Sequence, residues 1–213
     1  MCIFFVKPIE AERSLFNYFP ELFKIPSWKL NRIIRKSSSK LQQIGPSRYS
    51  AKLLRNGTWA YFEFLANTDY KNQCVDRLNL YGFSIKNSDG IQHIENAGLH
   101  VFICIVEYET DFRLHILTNA LTVSNYLFTN RFEISPPWIF CPTARPTREC
   151  FDEYREVNYW ACVYWEPFWN SMSFIEQYEY LKRYNVNDEW FNFLTNNQFA
   201  QKIRFYRTGD AYG

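Results

Sequence analysis

The seven glycines of this sequence, Gly45, Gly57, Gly82, Gly90, Gly98, Gly209 and Gly213, never cluster. Neither a phosphate-cradling P-loop nor a dinucleotide-binding turn can be built without such a cluster. Histidine is as scarce: His93, His100 and His115 are the only three, and no two of the six cysteines have CxxC spacing. No zinc site is therefore expected, and no other metal or cofactor. GxSxG, HExxH, an EF-hand loop and the His/Cys/Cys arrangement of deaminases are all missing, and those motifs follow from geometry that tolerates little variation. The chain is accordingly expected to have no catalytic activity of its own. Convergence of His93, Glu95, His100 and His115 in one concave pocket would reverse that expectation, because His93 and Glu95 share one face of an extended segment and form an acid and base pair. Read singly, His93 and Glu95 belong to an exposed edge, and His100 and His115 are structural residues near the ends of a hairpin that brings them toward each other.

Long apolar runs are lacking too. The longest uncharged stretch, Leu114 to Asn130, is broken by Thr118, Asn119, Thr122, Ser124 and Asn125, whereas a membrane span needs about 20 mostly apolar residues. The opening MCIFFVK has no basic segment ahead of its apolar residues and no small-residue cleavage site, so it reads as a first strand and not as a signal peptide. Cysteines in contexts such as FICIV and WACVY behave as small buried hydrophobes. A reducing, cytoplasmic compartment without membrane association is the expectation.

What the sequence has in abundance is aromatic residues, 20% of the chain, and segregated charge. From Leu22 to Phe62 there are nine Lys or Arg and no carboxylate, whereas Glu149 to Glu189 carries nine carboxylates against three cations. The near-neutral total hides this dipolar arrangement.

Periodicity and turn signals predict an α+β fold in a single domain, 1–213, with a subdomain boundary, if the chain has one, in the proline-rich loop 135–147. A basic N-terminal helix starts at Ser27 and runs toward Gly45-Pro46, with Leu30, Ile34, Leu41 and Ile44 on one arc and Lys29, Arg32, Lys36 and Lys40 in a neighbouring stripe. Asn56-Gly57 signals a hairpin into a strand over Thr58 to Phe64. Asp69 to Tyr81 reads as a helix closed by Gly82, with Cys74, Val75 and Leu78 inward, and Phe83 to Ile85 as a short strand. Leu99 to Tyr108 and Phe112 to Leu117 pair as a hairpin at the centre of a mostly antiparallel sheet. Val157 to Trp165 alternates as a strand, and a C-terminal helical pair packs on the sheet: Ser173 with Glu176 forms a capping box for one helix, and Asn187 caps the other.

The segment VNYWACVYWEPFW, Val157 to Trp169, holds three tryptophans, two tyrosines and a phenylalanine and directly follows the acidic run. Tyr and Trp beside charge have the composition of a protein-binding hot spot. The leading expectation is a non-catalytic protein-binding module: a cytoplasmic bacterial immunity protein or antitoxin that neutralises a cognate toxin. Its contact residues would be Glu149, Asp152, Glu153 and Glu156 on one helical face, with Trp160, Tyr164 and Trp169 as exposed anchors. The alternative is nucleic-acid binding by the basic segment 24–55, through Lys29, Arg32, Lys36 and Lys40 with Trp28, Tyr49, Trp59 and Tyr61 nearby for stacking.

Overall fold

The computed structural model describes residues 16–36, 41, 50–55, 57–86, 90–143, 145–146 and 160–195. The fold is α+β and divides into two compact units, residues 1–133 and 134–213. The divide falls between Glu133 and Ile134, one residue before Ser135-Pro136-Pro137.

The first unit is built on a five-stranded antiparallel sheet: β1 (Ser50–Leu54), β2 (Trp59–Ala66), β3 (Gly90–Asn96), β4 (Leu99–Tyr108) and β5 (Asp111–Thr118), in the order β1-β2-β5-β4-β3. The expected hairpin of the Leu99–Tyr108 and Phe112–Leu117 runs lies inside the sheet as β4 and β5, pairing Ile103 with Ile116 and Ile105 with Leu114. Side chains alternate across a strand, which sorts the core into two layers. Ala60, Phe62, Phe64, Val101, Ile103, Leu114 and Ile116 form one with Cys74, Val75 and Leu78 of the helix Thr68–Leu80 and Val123 and Leu127 of the helix Leu121–Thr129. Trp59, Tyr61, Phe102, Cys104 and Leu117 form the other with Phe19 of the helical residues 16–22, with Phe23 in the turn after them, and with Leu30 and Ile34 of α1 (Ser27–Lys36).

Local chemistry explains the boundaries. Asn67 caps the helix Thr68–Leu80 by accepting from the Tyr70 N–H at 3.0 Å. Gly82 ends it in the left-handed conformation, φ +85°, while the Phe83 N–H donates back to the Leu78 carbonyl. The segment Phe83 to Ile85, expected as a short strand, joins no ladder: Ile85 donates its N–H to Asn79 Oδ1 at 2.7 Å instead. The hairpin of β3 and β4 turns through two residues, Ala97 at φ +50° and Gly98 at φ +77°. Two positive φ values in a two-residue loop make a type I′ turn, whose twist matches that of the strands it joins.

The second unit is helical throughout its regular structure among the described residues. Here one expectation is corrected: the described residues 160–165, part of the segment read as a strand, form a helix with a π-turn at Ala161–Trp165 that continues as Glu166–Ser171. Pro167 sits just after that π-turn in the continuous helical run and has no N–H to donate to the turn before it. Trp160, Tyr164, Trp165, Phe168 and Trp169 recur at helical spacing and are buried. Phe140 stacks on Trp160 at 4.1 Å and Trp165 on Trp169 at 5.6 Å. The capping box forms as expected, with Ser173 and Glu176 exchanging bonds at the start of the helix Phe174–Arg183, and Asn187 Oδ1 accepts from the Trp190 N–H. No helix among the described residues is long and apolar enough to cross a membrane.

Candidate functional site

Helix α1 forms where Ser27 follows Pro26 and where Leu30 and Ile34, one turn apart, bury against the sheet. Burying that arc forces Trp28, Lys29, Arg32 and Lys36 out of the core, and all four are exposed. These three cations, with Arg35 as a fourth on the same helix, lie within about two turns with no acidic residue in the first turn to offset them. Trp28 stands beside them with 67% of its surface exposed, a large apolar area to leave in water.

The helix is fixed by Trp59. Its buried indole Nε1 donates to the Ile34 carbonyl at 3.2 Å, satisfying one of the four carbonyls that a helix C-terminus leaves without an internal partner. The same indole stacks on His100, with ring centroids 6.0 Å apart.

Strand β3 is the sheet's outer strand on this side. Register places His93 opposite Phe102 and Glu95 opposite His100, so these side chains share the sheet face that carries α1. His93 lies flat on Phe102, centroids 4.0 Å apart with an angle of 6° between planes. Trp28, Lys29, Arg32, Ile33 and Lys36 of the helix and His93 and Glu95 of the strand thus enclose a cleft of about 480 Å³, within the span of ligand sites, roughly 300 to 1,000 Å³.

Behind its wall, His93 Nε2 and His100 Nδ1 are 3.2 Å apart. One of the two nitrogens must carry the hydrogen and the other supply the lone pair. Glu95 Oε2 is 3.8 Å from the same His100 nitrogen, and only 12% of the His100 side chain is exposed. The His100 backbone is held in turn by its N–H to Asn119 Oδ1 at 2.6 Å and by the Thr118 hydroxyl donating to its carbonyl. Burial, the neighbouring His100 and Lys29 hold the His93 imidazole below its ordinary pKa, against the opposing pull of Glu95. Burial also lowers that of His100, again with Glu95 opposing. Both rings are thereby favoured in the neutral form, in a cleft that otherwise collects positive charge.

The histidines therefore pair differently from the sequence expectation. His100 meets His93, while His115 sits deep in the core, where its Nδ1 bonds the Tyr61 hydroxyl at 2.8 Å. The reason is register: β4 and β5 pair Cys104, not His100, with His115. Two further corrections concern rings. Trp59 and Tyr61, expected near the basic stripe as stacking surfaces, are buried, leaving Trp28 exposed. Trp160, Tyr164 and Trp169, expected as exposed anchors for a protein partner, are buried as well. The Nε1 groups of Trp160 and Trp165 are buried and have no hydrogen-bond partner among the described residues. Glu149, Asp152, Glu153 and Glu156 lie outside the described residues, as do Lys40 and Tyr49.

Among the described residues no group of three or more His, Cys, Asp or Glu has the arrangement to hold a metal ion, and Cys74, Cys104 and Cys141 are free thiols. A second hollow, of about 460 Å³, is lined by Arg77, Tyr81, Thr122, Asn125, Tyr126 and neighbours. It has one cation, which lies over the Tyr126 ring at 5.7 Å, so the α1 cleft is the stronger candidate. Sequence reasoning had each half of that cleft, the basic stripe and the His93/Glu95 pair, without joining them. Comparison with known proteins gave no match to a family model, to a curated protein or to a solved structure.

Proposed function

We propose that the protein binds single-stranded nucleic acid in the cleft between α1 and β3. The observation that carries the reading is the pairing of a three-cation stripe, Lys29, Arg32 and Lys36, with the exposed ring of Trp28 on the same short helix. Backbone phosphates are drawn by such a stripe, and an unpaired base has a free face to stack on an indole. A duplex offers no such face, which is why the single strand is favoured. The toxin-inhibitor reading now has less support: its aromatic anchors are buried, and its acidic face lies outside the described residues.

The test is titration of a labelled single-stranded DNA oligomer at a series of salt concentrations. With three phosphate contacts, the logarithm of the binding constant should fall with the logarithm of salt at a slope of about −2, near −0.7 per contact. The triple change K29Q/R32Q/K36Q should flatten that slope, and Trp28→Ala should cost about 1 to 3 kcal/mol of binding. No binding at low salt, or a slope that the triple variant leaves untouched, removes the reading.

A further inference from the structure

We propose that the cleft also cleaves single-stranded RNA, with the imidazole of His93 moving a proton from the ribose 2′-hydroxyl to the leaving 5′-oxygen. The inference rests on the binding reading above and adds a substrate class and a reaction to it.

A surface made only to hold phosphates would gain most from fixed cations. This one sets a neutral imidazole among them: His93 lines the cleft together with Lys29, Arg32 and Lys36. A second imidazole, His100, is in hydrogen-bond contact with it at 3.2 Å. When His93 Nε2 carries the shared hydrogen and donates to His100 Nδ1, the lone pair of His93 sits on Nδ1, which is then the base. His100 thus acts as a positioning residue that selects the tautomer, much as any orienting partner does for a catalytic histidine. Burial, His100 and Lys29 on α1 favour the neutral form of His93 before reaction, and Glu95, 3.8 Å from His100, stabilises the imidazolium once the proton has moved.

RNA supplies its own nucleophile, so the protein needs none. His93 Nδ1 takes the 2′-hydroxyl proton as the 2′-oxygen attacks the adjacent phosphorus. The bond from phosphorus to the 5′-oxygen breaks, and that oxygen receives the proton from His93. The products are a 2′,3′-cyclic phosphate and a 5′-hydroxyl, with base and bonds restored and no further reactant consumed. Lys29, Arg32 and Lys36 face the negative charge that builds on the phosphoryl oxygens in the transition state.

The experiment uses the full chain with a mixed-sequence single-stranded RNA oligomer and its all-DNA counterpart, between about pH 5 and 9. Cleavage of the RNA to cyclic phosphate and 5′-hydroxyl ends, with the DNA bound but intact, is expected. His93→Gln should lower the cleavage rate by about 100-fold or more, the usual contribution of an acid–base group. His100→Gln should retain part of the activity but move the pH optimum, which loss of packing alone does not do. RNA that is bound at low salt yet uncut, cleavage to a 5′-phosphate, or an H93Q variant as fast as the native protein overturns this inference and leaves the binding reading standing. Failure to bind either oligomer overturns both.

Discussion

Trp59 and Ile34, 25 residues apart in sequence, are joined by an indole N–H to carbonyl bond of 3.2 Å that clamps the last turn of α1 to the sheet. Replacing Trp59 by Phe removes the donor, worth about 1 kcal/mol, and leaves unfilled volume in a core position, so a total loss of about 1 to 3 kcal/mol is expected. Trp28→Phe, on the solvent side of the same helix, should change stability by less than about 0.5 kcal/mol. Urea denaturation of both variants checks this. Equal midpoints would mean that the clamp contributes nothing.

Ala97 occupies a left-handed conformation, φ +50°, which costs a residue with a Cβ about 1 to 2 kcal/mol. Asparagine tolerates that region and, with Gly98 after it, makes the preferred Asn-Gly pair of a type I′ turn. Ala97→Asn should therefore raise the melting temperature, by several degrees for about 1 kcal/mol gained in a unit of this size. An unchanged or lowered melting temperature would argue against the turn as described.

His93, His100 and His115 all titrate below their ordinary value in the folded chain, each chiefly through burial. Above about pH 7 they are neutral both folded and unfolded and give no pH dependence. As pH falls through about 6.5 the unfolded chain takes up protons that the fold resists, so stability declines, and the decline levels off below the folded-state values. His115 is the most deeply placed of the three, with Tyr61 bonded to its ring, Glu63 partly offsetting the shift and Arg113 adding to it. His115→Gln, which keeps a partner for Tyr61, should shrink the drop in urea midpoint between about pH 7.5 and 5.5. A drop as large as that of the native chain would place the effect elsewhere.

Much of the first unit was legible because its signals are local. Ser27, the Asn56-Gly57 pair, Gly82 and the apolar runs of β4 and β5 each act over a few residues, and the α+β class follows from them. The aromatic segment was misread for a physical reason. Val157 to Trp165 fits a period of two, but Trp160, Tyr164, Trp165, Phe168 and Trp169 fit a period near 3.6 over a longer span, and length is what separates a buried helix from a strand. The cleft was legible only in halves. Lys29 and His93 are brought together by strand order and register, and no spacing in the sequence records that. The expectation of no catalysis came from searching for local motifs, and three of the four residues named as its exception, His93, Glu95 and His100, do meet.

The two-residue turn at Ala97 and Gly98 has a consequence for how this protein can change by descent. Because successive strand residues point to opposite faces, sliding β3 by one position against β4 would exchange His93 and Glu95 for Gln92 and Ile94 on the α1 side. No substitution in the cleft would be required. A one-residue change in that turn that is taken up as a register slip, and not absorbed as a bulge, replaces an imidazole and a carboxylate by an amide and a hydrocarbon, whereas most point changes along β3 alter one side chain and leave its neighbours facing where they were. The chemistry of this cleft is therefore inherited as a count of residues as much as by their identity, and divergence in hairpin length is where its loss or gain in related chains would first be written.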